Sequence, residues 1–493
     1  MSIFPVGALI TPAEFQHGPH KNLSTKPDNG PRLPLFTSSN PRKMSSYRLT
    51  KRGIRILALV ILAFIASVAL VFQQDLLGQR LPPLYKQFRK QEQHLTHYNE
   101  YEKKPIKYLW AANHAHSSGW GNVMQDIIMV ALLAHETKRS YVFDDYIWRK
   151  DGTIYSDFNG KLIPSRIPLS ALVGGPLVGG EFPDGDDAPR AVSKDYFNKV
   201  CPNPTIIDTS IINTEHVRFD DDVSALQVFN LWLDKINSMD DDCIELDVHS
   251  NTIFEFWIFG NRKRVLSVFP LLVHNPVVTN WGWSPLVYAA YESNRHLFQP
   301  SSSLPAVFRS PEEDYNQPIP GLLALHVRRG DFENHCQHLA NWSADWNAWN
   351  TLPELPDTFV RPTDGGWGET SEANMNMYIQ RCYPSIEQIV EKVKAVVAAS
   401  VDPLRYVYIM TNGAVPWVEE LKTSIKSSGN WDHVGSSRDL QLTWEEKYVA
   451  HGLDMFVASR AQILIGNGWS SLTSNVVLLR LAHNMSLESN RFW

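Results

Sequence analysis

Two adjacent arginines follow an apolar run in the segment ALHVRRGDFENHC, where Arg328 and Arg329 are followed closely by Asp331. Near the end of the chain, Ser470 and Ser471 follow a second apolar run in ILIGNGWSS. Guanidinium groups donate paired hydrogen bonds to phosphate oxygens, and hydroxyl and backbone N–H groups at the start of a helix bind anions. We therefore predict that these residues hold a nucleotide diphosphate. The sequence leaves an alternative open, in which the arginines pair with carboxylates such as Asp331 and only close a strand end.

The second half of the chain alternates between strand and helix patterns that position these side chains. The predicted strands are GLLALHVR, RYVYIMTN and QILIGN, and the predicted helices are PSIEQIVEKVKAVVAA, PWVEELKTSIKSSG, TWEEKYVAHGLDMFVASRA and SSLTSNVVLLRL. Thr443 and Glu446 have the spacing of a capping box in the third of these helices. This alternation predicts a doubly wound parallel sheet, in which ligands bind beyond the carboxyl ends of the strands.

The first half opens with one clear βαβ pattern. The strand IKYLWAA leads into the loop NHAHSSGWGN with Gly119 and Gly121, then into the helix VMQDIIMVALLAHETKR and the strand SYVFDDY. Residues 152–317 have no clear pattern. Strand, loop, helix and strand in this order normally build a parallel sheet. We therefore predict an α/β protein with two Rossmann-like doubly wound domains that face a cleft.

Several of these segments together resemble the GDP-fucose-dependent fucosyltransferases of the α1,6, α1,2 and protein O-fucosyltransferase superfamily. The matching segments are HVRRGDF, VYIMTN, DMFVASRAQILIGNGWSSLTSNVVLLR and GWGNVMQDIIMVALLAHETKRSYVF, so the resemblance extends from about Gly119 to Arg480. Val123 and Met124 depart from the family's usual polar continuation of the last of these segments. The resemblance implies a GT-B fold and inverting transfer of fucose from GDP-fucose, with no metal ion or other cofactor.

The resemblance also implies roles for individual residues of the donor site. These are His326 and Asp454 at the guanine base, Arg328 at the β-phosphate with Arg329 supporting it, Ser470 and Ser471 at the phosphates, Thr411 and Asn412 at the middle strand end, and Gly121 with Asn122 approaching the donor from the other domain.

Inverting transfer also needs a group that takes the proton of the acceptor hydroxyl, unless the leaving phosphate takes it. Asp331, Glu333 and His335 all follow the arginines. We predict Asp331 or Glu333 as this catalytic base. Asp331 has an alternative role, which is to orient Arg328 or Arg329.

Acidic and histidine clusters elsewhere invite a metal-binding interpretation. Asp220–Asp222 and Asp240–Asp242 suggest the acidic motif that holds a divalent ion against a nucleotide diphosphate in a different glycosyltransferase architecture. His114 and His116 have the spacing of metal ligands, but no further ligand can be assigned to them. Solvated acidic turns and solvated loop histidines explain both features better, so we predict no metal site.

A long insertion places four tryptophans between a predicted strand and a predicted helix, namely Trp342, Trp346, Trp349 and Trp367. Flat apolar rings pack well against sugar or peptide faces, so the tryptophans could form a wall for the acceptor. They could equally form a small core under a long loop. The sequence alone leaves both interpretations open.

Charge and hydropathy are unevenly distributed along the 493 residues. Residues 1–55 carry nine Lys and Arg against two Asp and Glu, so the remainder carries 37 against 50 and has a net charge of −13. This acidic body argues against nucleic-acid binding. The run from Ile56 to Phe72 is uncharged, can cross a bilayer with its flanks, and has basic residues crowded on its N-terminal side. The positive-inside rule then predicts a single-pass type II protein of the Golgi or ER membrane, with its body in the lumen.

All four cysteines lie on the predicted lumenal side, where disulfides persist. Four cysteines allow three pairings, and proximity in the sequence favours Cys201–Cys243 with Cys336–Cys382. The sequons at Asn341 and Asn484 are lumenal in this topology and are predicted to be glycosylated. The sequon at Asn22 is cytosolic in the same topology and should stay unmodified.

These patterns divide the chain into five predicted regions: a disordered cytosolic tail at 1–52, a transmembrane signal-anchor helix at 53–73, a stem at 74–105, an acceptor-side domain at 106–318 and a nucleotide-sugar-side domain at 319–493. The predicted function is transfer of fucose from GDP-fucose to a glycoprotein or glycan acceptor in the secretory pathway. Two alternatives stay open. A related enzyme could use another nucleotide sugar, and a catalytically silent lumenal relative could keep the fold to bind glycans or proteins.

Overall fold

The computed structural model describes residues 59–63, 85–95, 105–158, 161–299, 315–366, 368 and 370–493. The predicted tail at 1–52 lies outside these residues. The predicted membrane segment at 53–73 also lies outside them, apart from residues 59–63, which are helical. In the part of the chain so described, no helix has both the length and the apolar character needed to cross a membrane. Residues 82–493 form one compact unit.

Strands and helices alternate through this unit. The described strands are β1 (Tyr108–Ala111), β2 (Ser140–Phe143), β3 (Tyr146–Ile147), β4 (Tyr155–Phe158), β5 (Lys161–Pro164), β6 (Arg166–Ile167), β7 (Val173–Gly174), β8 (Val192–Ser193), β9 (Thr205–Ile207), β10 (Cys243–Leu246), β11 (Gly282–Trp283), β12 (Ile319–Val327), β13 (Tyr406–Thr411), β14 (His433–Ser436), β15 (Ala461–Gly466) and β16 (Asn490–Phe492). The described α-helices are α1 (Lys86–Glu92), α2 (Trp120–Glu136), α3 (Lys194–Val200), α4 (Glu215–Phe219), α5 (Ala225–Asn237), α6 (Phe256–Phe259), α7 (Arg262–Val265), α8 (Phe269–Val273), α9 (Pro276–Thr279), α10 (Pro285–Asn294), α11 (Phe332–Asn341), α12 (Glu372–Cys382), α13 (Ile386–Ala399), α14 (Val415–Ser428), α15 (Glu446–Arg460) and α16 (Ser471–Ala482).

The first sheet is parallel throughout, with the strand order β8–β2–β1–β10–β9. The predicted βαβ unit is confirmed as β1, α2 and β2. Helix α2 is mostly apolar, and 15 of its 17 residues are buried because it packs between this sheet and α16. The patternless middle of the chain supplies β8, β9 and β10 together with the two-stranded antiparallel ribbons β4–β5 and β7–β11. Its strand β6 pairs antiparallel with β3, which precedes that region.

The second sheet is also parallel, with the order β14–β13–β12–β15–β16. Its central strand β12 is apolar on both faces because helices cover both faces. Leu323, Leu325 and Val327 pack with residues of α13 and α14. Leu322 and Ala324 belong to the core that includes α15 and α16. The doubly wound pattern predicted for this half is confirmed, and so is the capping box, because Thr443 and Glu446 exchange hydrogen bonds in both directions.

Part of the predicted stem contacts the globular unit. Tyr85 is buried, and its hydroxyl donates a hydrogen bond of 2.9 Å to the carbonyl of Glu445. Arg89 on α1 forms an ion pair of 3.1 Å with Asp145. Residues 85–95 therefore pack against the folded body rather than serving wholly as a spacer.

Two disulfides join the cysteines as proximity in the sequence predicted. Cys201–Cys243 connects the end of α3 to the start of β10. Cys336–Cys382 connects α11 to α12. Because α11 begins directly after the arginine turn at the end of β12, the second disulfide restrains one wall of the candidate site described next.

Candidate functional site

The order of the second sheet places a crevice between β12 and β15. The chain runs from β12 outward to β13 and β14 on one side, and then returns to β15 and β16 on the other. The connections after β12 and β15 therefore leave in opposite directions, and ligands of doubly wound sheets bind at such a switch point. Arg328 directly follows β12, and the segment before α16 follows β15. The two predicted anion-binding segments thus flank one crevice.

Arg328 is the more exposed arginine of the pair, and its contacts lie within its own turn. One of its terminal nitrogens lies 3.3 Å from a carboxylate oxygen of Asp331, and its guanidinium carbon lies 4.5 Å from the centre of the Phe332 ring. Its Nε is buried and has no hydrogen-bond partner among the described residues. The side chain is 31% exposed, so a ligand can reach it. Burial lowers the pKa of Arg328, which leaves a partly desolvated cation available for an anion.

Arg329 turns the other way, toward the interior, and its predicted role in supporting Arg328 at the phosphate stays a prediction. Its guanidinium lies between the rings of Tyr383, at 4.3 Å, and Trp417, at 4.0 Å. It donates hydrogen bonds to the carbonyls of Arg328 and Pro384. Burial lowers its pKa to about 10. The side chain is 6% exposed and braces the turn from inside.

Asn412 clamps the arginine turn from the end of the neighbouring strand. Its side-chain oxygen accepts from the backbone N–H of Arg329 at 2.7 Å. Its amide nitrogen donates to the Arg329 carbonyl at 2.8 Å and to Asp331 at 3.0 Å. Thr411 accepts from the backbone N–H of Gly413. Both predicted donor-binding residues of this strand end therefore hold the backbone in place in this structure.

His326 connects β12 to the first turn of α16. Its Nδ1 lies 2.7 Å from the hydroxyl of Thr473, and burial, with Arg328 nearby, lowers its pKa to about 3. The imidazole is therefore neutral at physiological pH and can exchange hydrogen bonds without adding charge. Ser470 is the N-cap residue of α16 and Ser471 is its first residue, as predicted. The start of α16 thus lies beside the carboxyl end of β12.

Gly121 and Asn122 lie in the first turn of α2 rather than in the predicted loop, because α2 begins at Trp120. A Cβ atom on Gly121 would lie 2.6 Å from the Ser471 hydroxyl, so this glycine permits a close helix–helix contact, while its predicted approach to the donor stays a prediction. Asn475 of α16 donates a hydrogen bond of 2.8 Å to the Gly121 carbonyl. Asn122 is exposed beside this contact. The starts of α2 and α16 thus bring the carboxyl edges of both sheets together.

Asp454 projects from α15 toward the ends of β13 and β14. The hydroxyl of Tyr408 donates to its carboxylate at 2.7 Å, and that of Ser437 lies 3.2 Å from both carboxylate oxygens. Burial raises its pKa to about 7. Sequence analysis missed Tyr408 and Ser437. A tyrosine in an apolar strand is usually interpreted as a core residue, and the serine lies in a segment without a recognisable motif.

The two candidate bases lie in different settings. Asp331 contacts Arg328 and Asn412, which favours its alternative role of orienting the arginine. Glu333 lies exposed in the first turn of α11. Burial lowers the pKa of His335, which packs against the ring of Phe332.

The acidic and histidine clusters have structural partners. Asp221 accepts from Asn261, and Asp222 pairs with Lys263. His114 is buried, contrary to the solvated loop position predicted for it, and lies 3.6 Å from Asp144. His116 is exposed. Within the described ranges, no group of three or more His, Cys, Asp or Glu is placed to hold a metal ion.

The tryptophan insertion forms core rather than an open wall at two of its four positions. Trp346 and Trp349 are each 1% exposed, and Trp346 packs 4.7 Å from Phe492 between ring centres. Trp342 is partly buried and stacks on His338. Trp367 lies outside the described residues.

No family model matches the sequence, and no curated protein matches it. Solved fucosyltransferase structures are among those similar to the chain. POFUT1 in complex with GDP matches 79% of this chain and 99% of its own at 14% identity, with a TM-score of 0.46. NodZ α-1,6-fucosyltransferase soaked with GDP-fucose matches 76% of this chain and 92% of its own at 12% identity, with a TM-score of 0.36. A mutant of Arabidopsis thaliana FUT1 in complex with GDP matches 83% of this chain and 75% of its own at 13% identity, with a TM-score of 0.34.

Proposed function

We propose that this chain is a glycosyltransferase that transfers fucose from GDP-fucose, with inversion and without a metal ion, to a protein or glycan acceptor. The observation that carries the proposal is the partly exposed guanidinium of Arg328 at the crevice between β12 and β15, which pairs with Asp331 of the same turn and keeps an Nε without a partner among the described residues. A structural arginine in the same turn, Arg329, has its side chain engaged by carbonyls and rings. The contrast supports a ligand role for Arg328.

The proposed chemistry depends on charge that develops as the sugar leaves. When the bond to fucose breaks, the β-phosphate of GDP gains negative charge. A fixed guanidinium at that oxygen stabilises the transition state more than the ground state. The start of α16, with Ser470 and Ser471, adds hydroxyl groups and the positive end of a helix dipole. Arg328 thereby supplies the electrostatic role that a divalent ion has in other transferases.

We assign the remaining roles within the same crevice. Asp454 and neutral His326 bind the guanine edge, and Asn122 approaches the donor from the first half of the chain. Asp331 orients Arg328, since it contacts that arginine and is itself held by Asn412. Glu333 is then the carboxylate free to accept the proton of the acceptor hydroxyl, unless the leaving phosphate accepts it.

The proposed setting is the lumen of the Golgi or ER, with the segment at 53–73 as a single membrane anchor. The hydropathy of that segment and the basic residues before it support this placement. Two disulfides support an oxidising compartment.

The test is nucleotide binding by the full-length protein, measured calorimetrically with GDP, GDP-fucose, GDP-mannose and UDP in the presence of EDTA. We expect binding of GDP and GDP-fucose that EDTA does not weaken and that Arg328→Ala reduces by about 100-fold, the scale of a lost charged hydrogen-bond partner. Arg405→Ala is the matched control, because Arg405 is exposed and pairs with Asp432 away from the crevice.

Other outcomes would decide against the proposal in distinct ways. Preference for UDP or GDP-mannose, or loss of binding in EDTA, would favour a transferase for another nucleotide sugar. Binding of none of the four nucleotides would favour a catalytically silent relative. Release of GDP from GDP-fucose, and its loss in Arg328→Ala, separates an enzyme from a binding protein.

A further inference from the structure

The surroundings of Asp454 combine burial with one donor from within β13 and another that directly follows β14. Tyr408 lies in β13, and its hydroxyl donates to Oδ1 of Asp454 at 2.7 Å. Ser437 follows β14, and its hydroxyl lies 3.2 Å from both Oδ1 and Oδ2. Oδ1 accepts the shorter hydrogen bond from Tyr408, whereas the single Ser437 proton is shared among Oδ1, Oδ2 and the carbonyl of Ile409, which is also at 3.2 Å. One side of the carboxylate keeps acceptor capacity for a ligand.

A buried carboxylate that has no hydrogen-bond donor or positive charge beside it takes up a proton, because burial destabilises the charged form. Burial raises the pKa of Asp454 to about 7, and the hydrogen bonds from Tyr408 and Ser437 oppose that rise. Arg438 also favours the ionised form, but its Nε donates to the carbonyl of Gly413. The nearby carboxylate of Asp439 is paired with Lys422. The two hydroxyl groups are therefore the direct contacts that keep Asp454 charged.

Charge on Asp454 decides which nucleobase it can bind. An ionised carboxylate only accepts hydrogen bonds, whereas a protonated one also donates. Guanine presents two adjacent donors, the N1–H and the 2-amino group, which an ionised carboxylate accepts together. Hypoxanthine lacks the 2-amino group, and uracil presents a single ring N–H. A proton on Asp454 would remove the match to guanine.

On the basis of the proposed function, we propose that Tyr408 and Ser437 are positioning residues that set base specificity, by holding Asp454 ionised with Oδ2 turned toward the donor edge of guanine. Neither residue contacts the base in this arrangement. Their effect passes through Asp454, so it differs from a general loss of packing in its dependence on pH.

The sign of that dependence follows from the charge requirement. GDP binding is full above the pKa of Asp454 and weakens as the pH falls through it. Tyr408→Phe and Ser437→Ala each remove a hydrogen bond to the ionised form, so each raises this pKa and moves the midpoint of binding to higher pH. Each unit of movement weakens GDP binding about tenfold below the midpoint. Binding of both variants recovers at alkaline pH.

The experiment measures GDP and IDP affinity of the full-length protein between about pH 5.5 and 8.5 by calorimetry, since this interval brackets the expected midpoint. Tyr406→Phe is the matched control, because Tyr406 lies in the same strand and its hydroxyl contacts Asp432 at 3.2 Å instead. Asp454→Asn is the second control and should bind GDP weakly at every pH. Thermal unfolding of each variant confirms that it is folded. In the unaltered protein, the preference for GDP over IDP should decrease as the pH is lowered.

The outcomes separate this inference from the donor assignment. A higher midpoint in Tyr408→Phe and Ser437→Ala, with no change in Tyr406→Phe, supports the positioning role. GDP binding with an unmoved midpoint, or with no dependence on pH, overturns the positioning role and leaves the proposed function standing. Absence of GDP binding by the unaltered protein at every pH overturns both.

Discussion

At the scale of single residues, two neighbouring arginines with the same sequence context have different roles. Arg328 leaves a buried Nε without a partner among the described residues, whereas Arg329 lies between two rings and donates to two carbonyls. The difference arises because Val327 is the last buried residue of β12, and successive side chains beyond it point to opposite faces. The side chain of Arg328 therefore faces the crevice, and that of Arg329 packs into the core.

Substitution of each arginine should separate stability from activity. Arg329→Ala removes two ring contacts and leaves two carbonyls without their donor, so we expect it to lower the free energy of unfolding by about 2–4 kcal/mol. Arg328→Ala should leave the melting temperature nearly unchanged while weakening donor binding by about 100-fold. Thermal unfolding of the two variants side by side provides the measurement. Equal melting temperatures for both would contradict the bracing role of Arg329.

At the scale of elements, the contact between α2 and α16 depends on the absence of a side chain at Gly121. A Cβ atom there would lie 2.6 Å from the Ser471 hydroxyl and 2.7 Å from the backbone nitrogen of Leu472. The hydroxyl can rotate away, but the backbone of α16 cannot move without disturbing the second sheet. The glycine that sequence analysis assigned to a donor-binding loop is therefore required by helix packing.

Gly121→Ala should separate α2 from α16 and destabilise the protein by about 1–3 kcal/mol, the usual result of overpacking. Gly119→Ala is its control, since a Cβ atom at Gly119 has nothing within 4 Å. Denaturant unfolding of both variants tests the expectation. Equal stability of the two would mean that the helices can shift apart freely.

Asp126 makes the stability of α2 dependent on pH. Its Oδ2 accepts from the backbone N–H of Ala115 at 2.7 Å, while Oδ1 is buried without a partner among the described residues. Burial raises its pKa to about 6, so the folded state holds this proton more tightly than the unfolded state does. The unfolded state then releases its proton first as the pH rises, and stability falls from about pH 4 to pH 6 before levelling off.

Asp126→Asn should remove this dependence and stabilise the protein at pH 7 by up to about 3 kcal/mol, the equivalent of two pKa units. Asp234→Asn on α5 is the control, because Asp234 is exposed. Urea unfolding near pH 4.5 and pH 7 measures the effect. A pH dependence that persists unchanged in Asp126→Asn would assign it to other groups.

At the scale of the whole molecule, the proposed topology predicts a pattern of glycosylation. Asn484 is exposed after α16, and Asn341 ends α11 with part of its surface accessible. Both sequons should carry glycans, because the proposed topology places them in the lumen, and Asn22 should carry none. Enzymatic removal of N-glycans should increase the mobility of the protein on a gel. Asn341→Gln and Asn484→Gln should each reduce this shift by the contribution of one glycan, whereas Asn22→Gln should leave it unchanged. A glycan at Asn22 would contradict the proposed orientation.

The sequence alone determined features that depend on local patterns. The alternation of β12, α13, β13, α14, α15, β15 and α16 follows from hydrophobic periodicity, caps and glycines within short windows, whereas the short strand β14 was not predicted. The arginine pair at a strand end was also found this way, because its strand directly precedes it. Both disulfides were predicted for a different reason, since four cysteines allow only three pairings and the nearest neighbours along the chain were chosen.

Only the tertiary structure decided which groups face the crevice and which face the core. Tyr408 meets Asp454 across 46 residues, and Gly121 meets Ser471 across 350, so no local window contains either pair. The same reason places Trp346 and Trp349 in the core, because burial depends on which layers meet. Local periodicity fixes the faces of an element, but the partner of each face is set by packing of the whole chain.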